Sequence, residues 1–123
     1  MHNYKELKVW QKAMGFVVAV YALTKKFPKD ELFGLTSQLR RAAVSVSLNI
    51  AAGAGRESDA EFARFLDIAL GSTYECIVAL LIAHRLGYCG SKESNALIEP
   101  AEENARMLTG LIKRYAPHRE YLK

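Results

Sequence analysis

The sequence predicts an all-α protein: an antiparallel up-down-up-down four-helix bundle in a single domain over residues 1–123. Three observations carry this. Apolar residues recur at spacings of three and four through long segments, the period of one helix face. No segment alternates with period two for long enough to make a strand. Short breaks at Phe27-Pro28-Lys29-Asp30, Gly53-Ala54-Gly55-Arg56 and Gly87-Tyr88-Cys89-Gly90 leave four segments, roughly 6–26, 31–52, 58–86 and 91–116. Connections this short between long helices make consecutive helices antiparallel. A chain of 123 residues, 50% hydrophobic with eight glycines and three prolines, is enough for one buried core. A charged fraction of 24% beside that apolar content excludes a disordered chain.

The first segment ends where Pro28 supplies no N–H and pushes Phe27 out of helical geometry. Lys25 and Lys26 sit at its C-terminal end, where cations complement the helix dipole. It carries two apolar stripes. Leu7, Trp10, Met14, Val17 and Tyr21 form one; Val9, Ala13, Phe16, Val20, Leu23 and Phe27 form the other. Together they cover an arc of about 200° on the helical wheel, wider than a surface helix needs. No helix of a four-helix bundle is central, so the second stripe is expected to meet another subunit.

In the second segment Leu35, Leu39, Ala42, Val46 and Ile50 face the core, while Val44, Leu48 and Ala51 fall between Arg40 and Arg41 on the wheel. Aliphatics flanked by arginines resemble an interface more than a solvated face. The third segment opens on Ser58-Asp59-Ala60-Glu61, a capping-box pattern. Phe62, Phe65, Leu66, Ala69, Thr73, Cys76, Ile77 and Leu80 make its core face. The opposite face starts polar, with Arg64, Asp67 and Glu75, and becomes apolar at Val78 and Ile82. Gly71 and Ser72 lie mid-helix, where glycine weakens a helix, so close approach of another backbone is their expected use. Ser91 is the expected cap of the fourth segment, with Lys113 and Arg114 at its end and Pro100 expected to kink or split it. The residues expected between subunits are Val9, Phe16, Val20, Val44, Leu48, Gly71, Val78 and Ile82.

Catalytic and metal chemistry find little support. Cys76, His84 and Cys89 match no common zinc spacing, and two cysteines make no disulfide framework. Cys76 and His84 read as structural, and His2 and His118 as solvated. There is no G-x-S-x-G turn and no G-x-x-x-x-G-K loop. Arg114 and His118 do not fit the Arg…His pattern of small helical nucleases, so no catalytic residue, metal or cofactor is expected. The longest apolar stretches, such as Phe16–Leu23 and Ile77–Ala83, fall short of the roughly 20 residues a bilayer crossing needs. The charged N-terminus lacks a signal-peptide core; a cytoplasmic protein without membrane contact is expected.

Charge is unevenly placed. Nine bases face three acids through residue 56, and eight bases face ten acids beyond it. Lys5, Lys8 and Lys12 fall within about 60° on the first helix. With Arg40, Arg41 and Arg56 they are the candidates for phosphate-backbone contacts to RNA or DNA, without base readout. The same lysines also suit a merely solvated face. The glycines beside Arg56 offer left-handed backbone and exposed N–H groups for an anion, or else Arg56 satisfies the last carbonyls of the second helix.

V-W-Q-K (Val9–Lys12), F-P (Phe27, Pro28), G-L-T-S-Q-L-R-R-A (Gly34–Ala42), N-I-A-x-G-x-G-R (Asn49–Arg56) and G-S-x-x-E (Gly71–Glu75) together carry a resemblance. From Leu7 through Tyr88, and more loosely beyond, the chain resembles the bacterial four-helix-bundle family named for the protein encoded in intervening sequences of 23S ribosomal RNA genes. The resemblance implies a homopentameric ring. It also implies kinship to the accessory protein of diversity-generating retroelements, a basic pentameric barrel that works with a reverse transcriptase and nucleic acid. No enzymatic activity is established for the family. The chain departs from the family pattern at Ala52, where Glu is usual, and near Ser47, where Pro is usual. A non-catalytic homo-oligomer binding RNA or DNA backbone is the function expected; the alternative is an adaptor that docks a protein partner without nucleic acid.

Overall fold

The computed structural model describes residues 1–119. Four helices follow in order: α1 (Lys8–Thr24), α2 (Leu35–Ala54), α3 (Asp59–Arg85) and α4 (Ser91–Tyr115), with single 3-10 turns at Tyr4–Glu6 and Lys29–Glu31. α2 packs against α3 and α3 against α4, while α1 packs against α2 and α4 and not against α3. α1 and α3 therefore sit on opposite corners of the bundle. This is the antiparallel up-down arrangement that the short connections predict.

The ends of the helices show how local chemistry sets these boundaries. Asn3 Oδ1 accepts from the Lys5 N–H at 3.2 Å and holds the first 3-10 turn, so α1 begins at Lys8 and not at residue 6. The His2 N–H donates to the Ala54 carbonyl at 2.7 Å, tying the N-terminal segment to the end of α2. α2 begins four residues later than the sequence suggests. Pro28 opens the second 3-10 turn, and Glu31 Oε1 accepts from the Leu35 N–H at 3.1 Å. An acid expected inside the first turn instead caps that turn from outside.

Ser58 caps α3 as its pattern predicts, its Oγ accepting from the Glu61 N–H at 3.1 Å. The Glu61 carboxylate turns to Arg64 at 3.0 Å instead of reaching back. At the other end Gly87 has φ +79°. Its N–H donates to the His84 carbonyl and the Tyr88 N–H to the Ala83 carbonyl, a Schellman closure that needs a residue tolerant of positive φ. α4 is capped at Gly90, not by Ser91, with the Glu93 carboxylate accepting from the Gly90 N–H at 3.3 Å. Pro100 does not split α4, which runs unbroken through it. Pro100 and Ala96, whose carbonyl loses its intrahelical donor, both face solvent, where water replaces the missing N–H.

Two apolar clusters fill the core. Phe16, Val20 and Leu23 meet Leu35, Leu39, Leu80, Ala83 and Leu97 at one end; Val9, Ala13, Ile50, Phe62, Leu66, Leu108 and Ile112 meet at the other. Buried Ser72, Thr73 and Asn104 fall between them along α3 and α4, and buried Ser47 follows Val46 of the second cluster on α2. Thr73 and Ser47 return their hydroxyls to the Ala69 and Val44 carbonyls of their own helices. The α2–α3 corner is tight at Gly53, where a Cβ would stand 2.6 Å from Phe65 Cβ and 3.0 Å from Phe62 Cδ1. Close packing, not left-handed backbone, explains this glycine; neither Gly53 nor Gly55 has positive φ.

α3 is long and apolar enough to cross a membrane by length and composition alone, with a mean hydropathy of 1.8 over its most apolar window. That exceeds what the separate apolar stretches suggest, because small residues join them. Only 39% of that window is buried inside the chain, so much of its apolar surface lies on the outside.

Candidate interaction surfaces

The first surface lies on α1, and it is not the stripe the sequence assigned to it. Val9, Phe16 and Val20, expected between subunits, are in the intramolecular core, with Val9 and Val20 at 1% and 0% exposure. Both stripes are apolar enough to be core; the neighbouring helices decide which is chosen. The outward stripe holds Met14, Val18 and Tyr21, with Val18 70% exposed. Gly15 lies among them, and a Cβ placed there would meet nothing within 4 Å.

The second surface is a groove between α2 and α3, a cavity of about 890 Å³ lined by Arg41, Ser45, Gly71, Glu75, Val78 and Ile82 among others. Its register is fixed where the Ser45 and Ser72 hydroxyls meet at 3.0 Å. Antiparallel spacing from that pair carries Leu48 and Ile68, both exposed, to the same face one turn further on. Leu48, Gly71, Val78 and Ile82 are thus on the surface, as expected for an interface, and Val44 is half-buried. A Cβ on Gly71 would meet nothing within 4 Å, so no backbone of the same chain makes the close approach expected there. Phe33, 93% exposed at the mouth of this groove, had drawn no attention in the sequence. Its place in a loop gives it no periodicity to be noticed by.

The six candidate cations do not gather into one patch. Lys5, in the 3-10 turn, and Lys8 are exposed at the start of α1. Lys12 is engaged by Glu103 at 2.7 Å, and this contact holds the Glu103 carboxyl below its ordinary range. Arg40 lies over the Tyr21 ring at 4.6 Å and donates to Thr24 Oγ1 at 2.8 Å. Arg56 stacks over Phe65 at 4.7 Å, so its side chain works as a cation–π partner at the α2–α3 corner. Arg41 remains exposed on the groove wall.

Antiparallel packing brings one basic partner to Lys8 that spacing could not show. Lys8 and Arg114 line the same shallow groove between the start of α1 and the end of α4, beside Met107 and Leu111. In sequence Arg114 read as a helix-dipole cation and, with His118, as a poor match to a nuclease pair, not as a phosphate contact. At the opposite end Lys26 pairs with Glu93 at 2.6 Å, which raises the lysine pKa and lowers that of the carboxyl.

The potentially reactive groups are held in inert states. Burial pushes the Cys76 thiol up to about 12 and raises that of Cys89, so neither is a thiolate nucleophile near neutral pH. His84 Nδ1 is 3.1 Å from the Cys89 carbonyl, a structural contact at the α3–α4 turn. His2, expected in solvent, packs its ring against Phe62 and Tyr115 with centroids at 4.8 and 4.9 Å. Among the described residues no three His, Cys, Asp or Glu side chains are grouped to hold a metal ion.

These features define a class: a four-helix bundle that displays apolar and basic surface around an inert core. The sequence pattern described as 23S rRNA-intervening sequence protein matches residues 5–110. The chain belongs to that family. It is also similar to a crystal structure of a protein of unknown function from the S23 ribosomal protein family of Bacteroides thetaiotaomicron. The TM-score is 0.80 at 25% identity, covering 85% of this chain and 98% of that one. No curated protein matches the chain.

Proposed function

We propose that this chain is a non-catalytic subunit of a homo-oligomer that binds the phosphate backbone of RNA or DNA. The observation that carries the reading is the pair of apolar faces left open on opposite corners of the bundle, around Val18 and around Val78. Contiguous apolar surface of this kind marks association sites. A ring of five is the assembly that the family resemblance implies. Lys5, Lys8 and Arg114 at one end of the bundle supply the cations, and repetition around an oligomer turns a few weak phosphate contacts into useful avidity.

The test is an electrophoretic shift with single-stranded RNA and DNA, run alongside light scattering of the protein alone. The expected result is an assembly several times the subunit mass, whose affinity for nucleic acid falls steeply between roughly 50 and 200 mM salt. Lys8→Glu with Arg114→Glu should abolish the shift and leave the assembly intact. A protein that stays at subunit mass, or retains neither nucleic acid at 50 mM salt, refutes the corresponding half. The engagement of Lys12 and Lys26 by carboxylates favours a second reading, an adaptor for a protein partner. Recovery of a stoichiometric protein without nucleic acid would select it.

A further inference from the structure

Resting on the nucleic-acid reading, we infer that a single strand crosses α4: its backbone passes over Gly110, and one unpaired base stacks on Tyr74 in the groove between α3 and α4. The shape of α4 is the first reason. Arg106, Gly110 and Arg114 follow at intervals of four and form one exposed ridge of the helix. Gly110 is a notch in that ridge, where even a Cβ would meet nothing within 4 Å. The Cα atoms of the two arginines stand about 12 Å apart along the axis, so a strand in the notch passes between two guanidinium groups. Grooves open from the notch on both sides. Gly110 lines the cavity of about 350 Å³ that holds Lys8 and Arg114, and also the cavity of about 440 Å³ that holds Tyr74, Ile77, Arg106 and Thr109.

Charge is the second reason. Apart from Lys92, the charges of α4 are acidic before Arg106 and basic from there on. Lys12 pairs with Glu103 and is the main cause of its lowered pKa, with smaller contributions from Arg106 and Lys8. Lys8, Arg106 and Arg114 keep no carboxylate partner among the described residues, so their charge is available to phosphates around the notch. Glu75 lines the α2–α3 groove and not this one. Glu102 does line the Tyr74 groove, one turn before Arg106. Its carboxylate repels a phosphate but accepts N–H groups from the edge of a base. The base therefore belongs at that end and the phosphates at the notch.

Tyr74 is the third. It is 52% exposed, and among the described residues it makes no hydrogen bond or ring contact. An exposed ring with Ile77 and an arginine in the same groove is a stacking platform for a base. A duplex keeps its bases stacked inside and presents none to a solitary ring, whereas an unpaired base can turn out onto it. Gly110 weakens its helix relative to alanine, and passage of a strand over the bare backbone gives that glycine a use.

The test measures fluorescence anisotropy of labelled RNA and DNA of about 12 nucleotides, single-stranded and duplex, at roughly 50 mM salt. Light scattering and circular dichroism accompany each variant. Tyr74→Ala should weaken single-strand binding roughly tenfold or more and leave duplex binding, helicity and assembly mass unchanged. Tyr74→Phe, which keeps the ring, should bind as wild type does. Gly110→Gln fills the notch with a better helix former, so it should weaken single-strand binding while raising the urea midpoint. A Tyr74→Ala variant that binds single strands like wild type, loses duplex binding equally, or changes the assembly mass overturns the stacking site. Wild-type affinity in Gly110→Gln overturns the crossing. Wild-type protein that binds neither single strands nor duplex at this salt overturns instead the nucleic-acid reading on which both rest.

Discussion

Replacing Gly53 with Ala sets two opposed effects against each other. In a helix interior Ala is favoured over Gly by about 1 kcal/mol, and Gly53 lies inside α2 with helical backbone. The added Cβ, however, would stand 2.6 Å from Phe65 Cβ and 3.3 Å from the Phe62 carbonyl oxygen. These atoms are fixed to the α3 backbone, so no rotamer change relieves the overlap and the helices must separate. Forced overpacking of this kind costs about 1–3 kcal/mol, and contact with Cβ and backbone atoms places the cost at the upper end. The net expectation is a loss of about 2 kcal/mol. With a urea m-value of about 2 kcal/mol per M, that loss lowers the unfolding midpoint by roughly 1 M. Gly110→Ala is the control: it lies inside α4, where a Cβ meets nothing within 4 Å, and should gain up to about 1 kcal/mol. Both variants and wild type would be unfolded in urea at one protein concentration, followed by helical circular dichroism. A Gly53→Ala midpoint equal to or above wild type refutes the packing account of this corner.

Glu31 should impose a pH dependence on stability. The Leu35 N–H, first, and then the Tyr88 hydroxyl hold its carboxylate below its ordinary range. A carboxyl whose pKa is depressed on folding stabilises the protein above its unfolded pKa of about 4.5, and that stabilisation is lost as pH falls through the folded value. Stability should therefore decline as pH falls below about 4.5, and Glu31→Gln should make the decline shallower; equal slopes for variant and wild type would contradict the cap. The buried thiols give a chemical test. With Cys76 pushed up to about 12 and Cys89 also raised, native protein at pH 8 should react with iodoacetamide far more slowly than denaturant-unfolded protein. Comparable native and unfolded rates would show that the α3–α4 end opens readily.

Features that depend on one segment were legible in the sequence. The four helices, the Ser58 cap and the core faces of α2 and α3 follow from spacing and turn chemistry within a few residues. Features that depend on which neighbour a face meets were not. The stripe of Val9, Phe16 and Val20 and the stripe of Met14 and Tyr21 are equally periodic; only packing against α2 and α4 assigns the first to the core. Glu31 looked like a first-turn acid because its hydrogen bond to Leu35 depends on the chain geometry after Pro28. The cations share the limitation: Lys12, a candidate, and Lys26, which was not one, find carboxylates on α4, far away in sequence, while Lys8 gains Arg114 across a groove.

The apolar content of the chain makes sense only when its two kinds of glycine are separated. A bundle selected to stand alone would favour alanine or a polar helix former at Gly15 and Gly71, since neither site has a neighbour to avoid. It would also have little use for Val18, Leu48, Val78 and Ile82 in solvent. The glycines and the exposed aliphatics fall on the same two faces, and on no reading of the isolated chain do they help one another. Brought together, each explains the other: aliphatic side chains supply area to bury, and the glycines remove the Cβ atoms that would hold two helices apart. Gly53 supplies the internal comparison, because there a missing Cβ coincides with a helix already in place. Under the proposed self-assembly the same relation would hold at Gly71, with the helix supplied by another copy, and surplus hydrophobicity would become half of a contact.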